Sequence, residues 1–429
     1  MRPSVSPSAI DARWLSLLGD RVAIALLAIY LLLLYTLVPL ELPSGQLVPG
    51  FWVLPVMFVY ILLFGFRVYK SDFRFVTTIL LIAVMSMVWA GEYDAYEGRA
   101  ESIVLLLAAL ANGVVFLQVV DRLSHRTLTT VLMYITIGIM IGTVLEVSGV
   151  IRYLSDAFRV WAFSSSYSSL EPDSSHVRDL ALVGFIRPNL FTSETSNLAK
   201  GFLVFSNAWI LSTYSRRRFV LALLANILML ALTGSMVILV SLVSAVVIAL
   251  LVEKNWRYIF AIVAICVVGL FVILMSMHNI VEGVVSRFGN VSDSLRGSHV
   301  VTSETLRLVN PYITLVDVLR EAPLFGVGIG GTDKITDYSS MRYPVSMAVG
   351  NNGFANLFIY FGLMGSALLI VGVAGYLKQK NIDDRFMLAV LMIGLLHTMG
   401  DTWTIRAWAY FFLYVAVLRK KREIAPCCM

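Results

Sequence analysis

Charge is what this sequence has least of. Of its 429 residues only 14% are charged and 59% are hydrophobic, against roughly 25% and 45–50% in water-soluble domains. A soluble fold is excluded. Cysteine is also scarce, with three residues. Cys266 falls inside an apolar run and Cys427 and Cys428 end a tail expected on the reducing side, so no disulfide framework is expected. Five histidines and the absence of any Asp/Glu cluster or histidine spacing suited to a metal argue for chemistry without a metal ion or cofactor. The first apolar run lacks a small-residue cleavage site and is long enough to span a bilayer, so it reads as an anchor and not as a signal peptide.

What the chain does have is long apolar runs, close to the roughly 20 residues a membrane crossing needs. They predict an all-α polytopic membrane protein, a single integral membrane domain over residues 1–429 with about 12 transmembrane helices. The expected spans are Val22–Leu40, Phe51–Phe66, Phe75–Ala90, Ile103–Val120, Leu128–Leu145, Leu198–Leu211, Phe219–Leu232, Met236–Val252, Tyr258–Met275, Phe354–Leu377, Phe386–Met399 and Ala407–Leu418. Several are short, so helices should extend into flanking polar residues. The pair joined at Thr233–Ser235 could alternatively be a re-entrant hairpin.

Basic residues tend to remain on the cytoplasmic side of a membrane. With the N-terminus inside, the cytoplasmic segments collect Arg2, Arg13 and Arg21; Arg67, Lys70 and Arg74; Arg122 and Arg126; Arg216, Arg217 and Arg218; Lys254 and Arg257; Lys378, Lys380 and Arg385; and Arg419, Lys420, Lys421 and Arg422. These are most of the 33 basic residues. The short outer loops hold only Arg99 and Arg406, and Gly91–Glu101 is acidic, with Glu92, Asp94, Glu97 and Glu101. Both termini are therefore expected in the cytoplasm. The net charge of +6 then reflects orientation and contact with anionic lipid, not nucleic acid.

Two segments are too long to be mere connectors, residues 150–197 and 276–353, and both fall on the outer face. Long loops of this kind tend to carry function. A two-halved transporter would have a long cytoplasmic connection after the sixth span and polar, broken helices near the midplane. Here little more than Ser215–Arg218 joins the sixth and seventh spans, and the polar exceptions Lys200, His397 and Asp401 gather toward the outer side.

In the second loop Ser303 is placed to cap a helix whose apolar residues Leu306, Val309, Ile313, Val316 and Leu319 recur every three or four positions. It should lie on the membrane surface, with Pro311 kinking it and Pro323 ending it. The run Pro323–Gly331 that follows is dense in glycine, which lets backbone approach a ligand or another helix closely. It is no dinucleotide fingerprint, because no strand–helix unit surrounds it.

Three stretches carry a family likeness. Arg187-Pro188-Asn189 through Ala199 leads into a helix. Arg307 is followed by Arg320-Glu321-Ala322-Pro323-Leu324-Phe325-Gly326-Val327-Gly328. Asn351-Asn352-Gly353-Phe354 runs on to Gly362-Leu363-Met364-Gly365. In this order they resemble the bacterial O-antigen polymerase and ligase superfamily, from about Arg187 to the C-terminus. The first five helices match it in hydropathy alone.

The resemblance implies a glycosyltransferase of the inner (cytoplasmic) membrane with two large periplasmic loops bearing short helices and its active face in the periplasm. Its donor and acceptor would be undecaprenyl-diphosphate-linked glycans, with membrane lipids, a chain-length regulator and a flippase as further partners. Ligases typically carry histidine where this chain has Asn351, and Met236 stands where an arginine often follows Gly234-Ser235. Those departures favour a Wzy-type polysaccharide polymerase, acting on O-antigen or exopolysaccharide, over an O-antigen ligase that transfers glycan to lipid A-core. A glycolipid flippase or other exporter is the alternative of a different class.

Such a transfer builds charge on a departing diphosphate, which arginine stabilises through permanent charge and paired hydrogen bonds. The resemblance points to Arg187 and Arg307, then Arg320, as diphosphate ligands; ordinary loop ion pairs are the structural alternative. Glu194 is the candidate base for the acceptor hydroxyl, or else a carboxylate complementing a helix N-terminus. His299 is a second candidate base. Lys200 is either a counter-ion to diphosphate or a lysine reaching the interface. Asn351 and Asn352 could hold sugar hydroxyls or cap the next helix. His397, Asp401 and Arg406 match the family loosely and read as a polar bridge, and Arg178, Arg287, Arg296 and Arg342 as surface ion pairs.

Overall fold

The computed structural model describes residues 7–41, 47–90, 96–163, 179–180, 186–212, 215–252, 257, 264, 309–338, 352–384 and 405–424. Its helices are α1 (Pro7–Thr36), α2 (Val53–Phe64), α3 (Lys70–Trp89), α4 (Tyr96–Arg122), α5 (His125–Val147), α6 (Arg152–Phe163), α7 (Thr195–Ser212), α8 (Arg216–Thr233), α9 (Met236–Val252), α10 (Asn310–Glu321), α11 (Thr332–Tyr338), α12 (Gly353–Gln379) and α13 (Ile405–Ile424). Between α1 and α2 the short strands Pro39–Glu41 and Leu47–Pro49 pair antiparallel, with Leu40 opposite Val48.

Five stretches among the described residues are long and apolar enough to cross a membrane: Gly19–Thr36, Lys70–Trp89, Arg99–Arg122, His125–Val147 and Gly353–Gln379. The protein is an all-α, multi-pass membrane protein. Expected span Phe386–Met399, and all of Tyr258–Met275 but residue 264, lie outside the described residues. Val22–Leu40 is corrected at its end: α1 stops at Thr36, because Leu37 takes a left-handed conformation (φ 54°) that turns the chain into the hairpin.

Two helices form the centre. From Leu198 to Ser212 in α7, and across nearly all of Ile405–Leu418 in α13, every side of the helix is buried, as expected for helices apolar all round. α4 lies along α13, where Gly113 abuts the ring of Phe412 with no room for a β-carbon. Gly201 of α7 meets the ring of Tyr35 in the same way. Small residues let helices pack closely where lipid offers no hydrophobic drive for association.

One end of the bundle is tied by charge. Buried Asp72 at the start of α3 receives Lys380 Nζ at 2.6 Å and Tyr376 Oη at 2.8 Å from the end of α12. Asp121 pairs with Arg419 at 3.1 Å, and Arg122 Nε donates to Tyr60 Oη at 2.9 Å while lying over the Phe64 ring. The opposite end gathers the last turns of α3 and α5 and the first turns of α4, α7, α12 and α13. The candidate site lies there.

The second long loop enters at that end. Described helix begins at Asn310, so Ser303 and Leu306 lie outside the described residues. Pro311 does not kink this helix. It occupies the first turn, where a missing N–H costs nothing. Asn310, Pro311, Thr314 and Val318 are buried, while Tyr312, Ile313 and Val316 point outward.

Beyond α10 the glycine-dense turn docks into a gap in α12. Gly362 there has φ 63° and ψ −168°, which interrupts the helix. Inside a bundle the freed backbone groups need new partners. The turn supplies them: Val327 N donates to Ile359 O at 2.9 Å and Gly328 N to Tyr360 O at 3.0 Å, while Leu363 N and Met364 N donate to Pro323 O and Leu324 O at 2.9 Å each. The Ser86 hydroxyl of α3, buried between them, lies 2.8 Å from Tyr360 O and 3.1 Å from Phe325 O.

Added β-carbons at Gly326 and Gly362 would strike opposing backbone, at Ile359 O in the first case and at Leu324 O, 2.5 Å away, in the second. Left-handed geometry adds about 1–2 kcal/mol for a non-glycine residue. Gly362→Ala and Gly326→Ala should each therefore lower stability by at least about 3 kcal/mol, read as loss of folded protein in detergent. Gly375→Ala, where nothing lies within 4 Å, should be neutral or slightly stabilising.

Candidate functional site

The segment before α7, residues 186–194, is an irregular loop held by hydrogen bonds from three helices. Glu146, buried at the end of α5, accepts Asn189 N at 2.9 Å and Leu190 N at 2.6 Å, one amide on each carboxylate oxygen. Phe191 N donates to the Ser155 hydroxyl at 3.1 Å, and Arg152 Nη2 to Ile186 O at 3.1 Å, both from α6. Tyr35 Oη of α1 donates to Leu190 O at 3.0 Å.

These contacts hold two successive non-glycine residues, Leu190 (φ 41°) and Phe191 (φ 60°), in the left-handed region. Such conformations cost of order 1 kcal/mol each and persist only where the surroundings over-determine them. Gly142 of α5 makes room for the Leu190 side chain.

Arg187 enters this loop against Asp179. Its Nε and Nη2 reach Asp179 Oδ1 at 2.9 and 2.6 Å, and its backbone N reaches Oδ2 at 3.2 Å. Of the five N–H donors on a guanidinium, Asp179 engages two, which fixes the orientation of the group. Glu194 stands immediately before α7, half-buried. Its carbonyl accepts the Asn197 and Leu198 amides, and Ser196 Oγ donates to its carboxylate Oε2 at 3.0 Å. Asn197 of the first turn donates to Ser193 Oγ at 2.7 Å and accepts from Arg406 Nη1 of α13 at 3.3 Å. Arg187, Glu194 and Arg406 are thus tied to one connected segment.

The other expected residues are placed differently. Lys200 is 6% exposed within the all-buried helix α7, so it does not reach out to the interface. Arg320 is exposed in the last turn of α10, 3.9 Å from Asp317. Asn352 caps α12, its side-chain oxygen accepting Ala355 N at 3.1 Å. Arg307, Asn351, His299, His397 and Asp401, and the loop arginines Arg178, Arg287, Arg296 and Arg342, lie outside the described residues. Among the described residues no three His, Cys, Asp or Glu side chains gather as a metal site would require.

Residues 219–370 match the family described as O-antigen ligase. That match places this segment in the O-antigen polymerase and ligase superfamily. Among curated proteins, none matches the chain significantly.

The superfamily segment takes in α8–α11 and most of α12, and with them the glycine turn, Arg307, Arg320, Asn351, Asn352 and the break at Gly362. The Arg187–Lys200 stretch lies before it. Reading the sequence also passed over Glu146, Asp179, Ser155 and Arg152, which hold that stretch in shape. One signal for Glu146 was present: it is a lone carboxylate directly after an apolar run, where a charge is costly unless bonded.

Glu146→Gln replaces one acceptor oxygen with an NH2 group, which cannot accept, so only one of the two backbone N–H groups keeps its partner. The expected result is a loss of about 2–3 kcal/mol, with faster hydrogen exchange at Asn189 and Leu190 while the α4–α13 core stays protected. Unchanged exchange at those two amides would contradict the anchoring role.

Proposed function

We propose that this protein is a membrane glycosyltransferase that polymerises undecaprenyl-diphosphate-linked oligosaccharide repeat units on the periplasmic face of the bacterial inner membrane. The observation that carries the reading is the O-antigen ligase family match over residues 219–370; the held arginine–glutamate segment before α7 supports it.

In this reading Arg187 and Arg307 bind the donor diphosphate, with Arg320 as a further contact near the membrane surface. Asp179 pre-orients Arg187, so less side-chain freedom is lost when phosphate binds. The acceptor hydroxyl oxygen attacks the anomeric carbon, and the bond from that carbon to the diphosphate oxygen breaks. Glu194 takes the hydroxyl proton, and undecaprenyl diphosphate leaves with the charge stabilised by the arginines. Asn351 and Asn352 contribute amides for sugar hydroxyls, the latter from its place at the N-terminus of α12. Lys200, buried below Glu194 in α7, supplies positive charge behind the site, and His299 is the alternative base. A chain-length regulator and a flippase act as partners.

A ligase is the second reading, favoured by the description of the matched family. Against it, Asn351 occupies the position where ligases typically carry histidine, and an amide does not take a proton as imidazole does. In cells making the corresponding glycan, Arg187→Ala or Arg307→Ala should leave the protein in the membrane while surface glycan collapses to single repeats, with polymer synthesis reduced at least about 100-fold. Long chains persisting in both variants would refute the assignment of the arginines.

A further inference from the structure

A further buried guanidinium at this end of the bundle, on α4, has no role in the reaction just described. Arg99, at the start of the membrane-crossing part of α4, is 2% exposed. Its Nη1 donates to Met87 O at 3.4 Å. Lys334 of α11, also buried, donates from Nζ to Ala90 O. Both carbonyls lie three residues apart where α3 ends.

A helix C-terminus leaves carbonyls unpaired and attracts cations, which accounts for the gathering of two positive groups. It does not account for the rest of the guanidinium. Nε and Nη2 of Arg99 are buried and have no hydrogen-bond partner among the described residues. Neutral carbonyls satisfy donors but bring no counter-charge, and a buried charge with idle donors is strongly unfavourable. The Nε–Nη2 edge is a geometry that grips a phosphate or carboxylate through two parallel hydrogen bonds.

The surroundings are closely packed. Trp89 packs on Phe325 of the glycine turn at 5.3 Å between ring centroids, and the turn lies against the backbone at Ser86 and Met87.

We propose that Arg99 and Lys334 form a binding site for a phosphate-type anion, the Nε–Nη2 edge of Arg99 taking two oxygens and Lys334 adding the second charge. A phosphate headgroup of a membrane lipid and the diphosphate of a lipid-linked glycan share this chemistry. The site is separate from the Arg187 segment and does not depend on the proposed glycosyl transfer.

The test uses the full chain in phosphatidylcholine nanodiscs, in an Arg187→Ala background so that the Arg187 segment does not contribute. Inorganic diphosphate is titrated and binding is read by calorimetry and by the shift in unfolding temperature. Arg99→Gln should weaken binding roughly ten-fold or more and abolish the shift, and Lys334→Gln should weaken it to a lesser degree. Arg126→Gln, exposed at the other end, should bind as its parent does. Arg99→Lys keeps the charge without the paired edge, so it too should bind more weakly than its parent, and it serves as the readout should Arg99→Gln fail to fold.

Native mass spectrometry of protein purified through phosphatidylglycerol distinguishes the sources. Lipid retained by the parent and lost in Arg99→Gln identifies a headgroup, whereas diphosphate binding without retained lipid identifies the lipid-diphosphate class. Diphosphate affinity and lipid retention unchanged in both Arg99→Lys and Lys334→Gln would overturn the proposal. Because none of these measurements reads polymer length, this site and the polymerase reading can fail independently.

Discussion

A helix broken inside a bundle must have its backbone hydrogen bonds completed by something else, and in this protein that completion holds the glycine turn of the second long loop in place. Gly362 interrupts α12, and residues 323–328 fill the gap with donors and acceptors in register. Water cannot substitute for them in an apolar interior. The docked turn fixes where α10 ends and where α11 begins. Through Ser86 it also fixes the last turn of α3. The described part of the loop, residues 309–338, is therefore part of the scaffold, able to hold charged groups at the end of the bundle.

The segment that ends the first long loop, residues 186–194, is fixed by a different device. Its strained residues are held by the carboxylate of Glu146 and by hydroxyls from α6 and α1, with Asp179 locking the Arg187 guanidinium. The two ends of the bundle differ accordingly. At one, acids and bases are matched as buried pairs such as Asp72–Lys380. At the other, Arg99 has two buried donors without a partner among the described residues, and Asp179 orients Arg187. Matched pairs fix helices relative to one another; idle donors suit the binding of anions.

The sequence made the membrane class legible because apolar runs and basic loop ends are read along the chain. The Pro323–Gly331 and Gly362–Gly365 stretches were visible as a family likeness, and the glycines announced a close backbone approach. That they approach each other is a contact across more than thirty residues, which no local pattern encodes. Pro311 sits in the first turn of the described helix, a placement that the sequence does not mark because a proline serves equally at a kink and at a helix start. Asn352 was read with two uses, and the structure gives it the cap. Glu146 and Asp179 were missed for a common reason: each is a single carboxylate whose role is set by a partner distant in the chain or in an irregular turn. Arg99 was counted as an outer-loop charge, since burial is not readable from an acidic neighbourhood.

The central claim is that the molecule joins translocated, lipid-linked repeat units. It is tested most directly by the sidedness and length of undecaprenyl-linked glycan in cells lacking the protein. The account predicts single repeat units carried to the periplasmic leaflet and left unjoined. Units stranded on the cytoplasmic leaflet, or full-length polymer retained on undecaprenyl diphosphate, would contradict it.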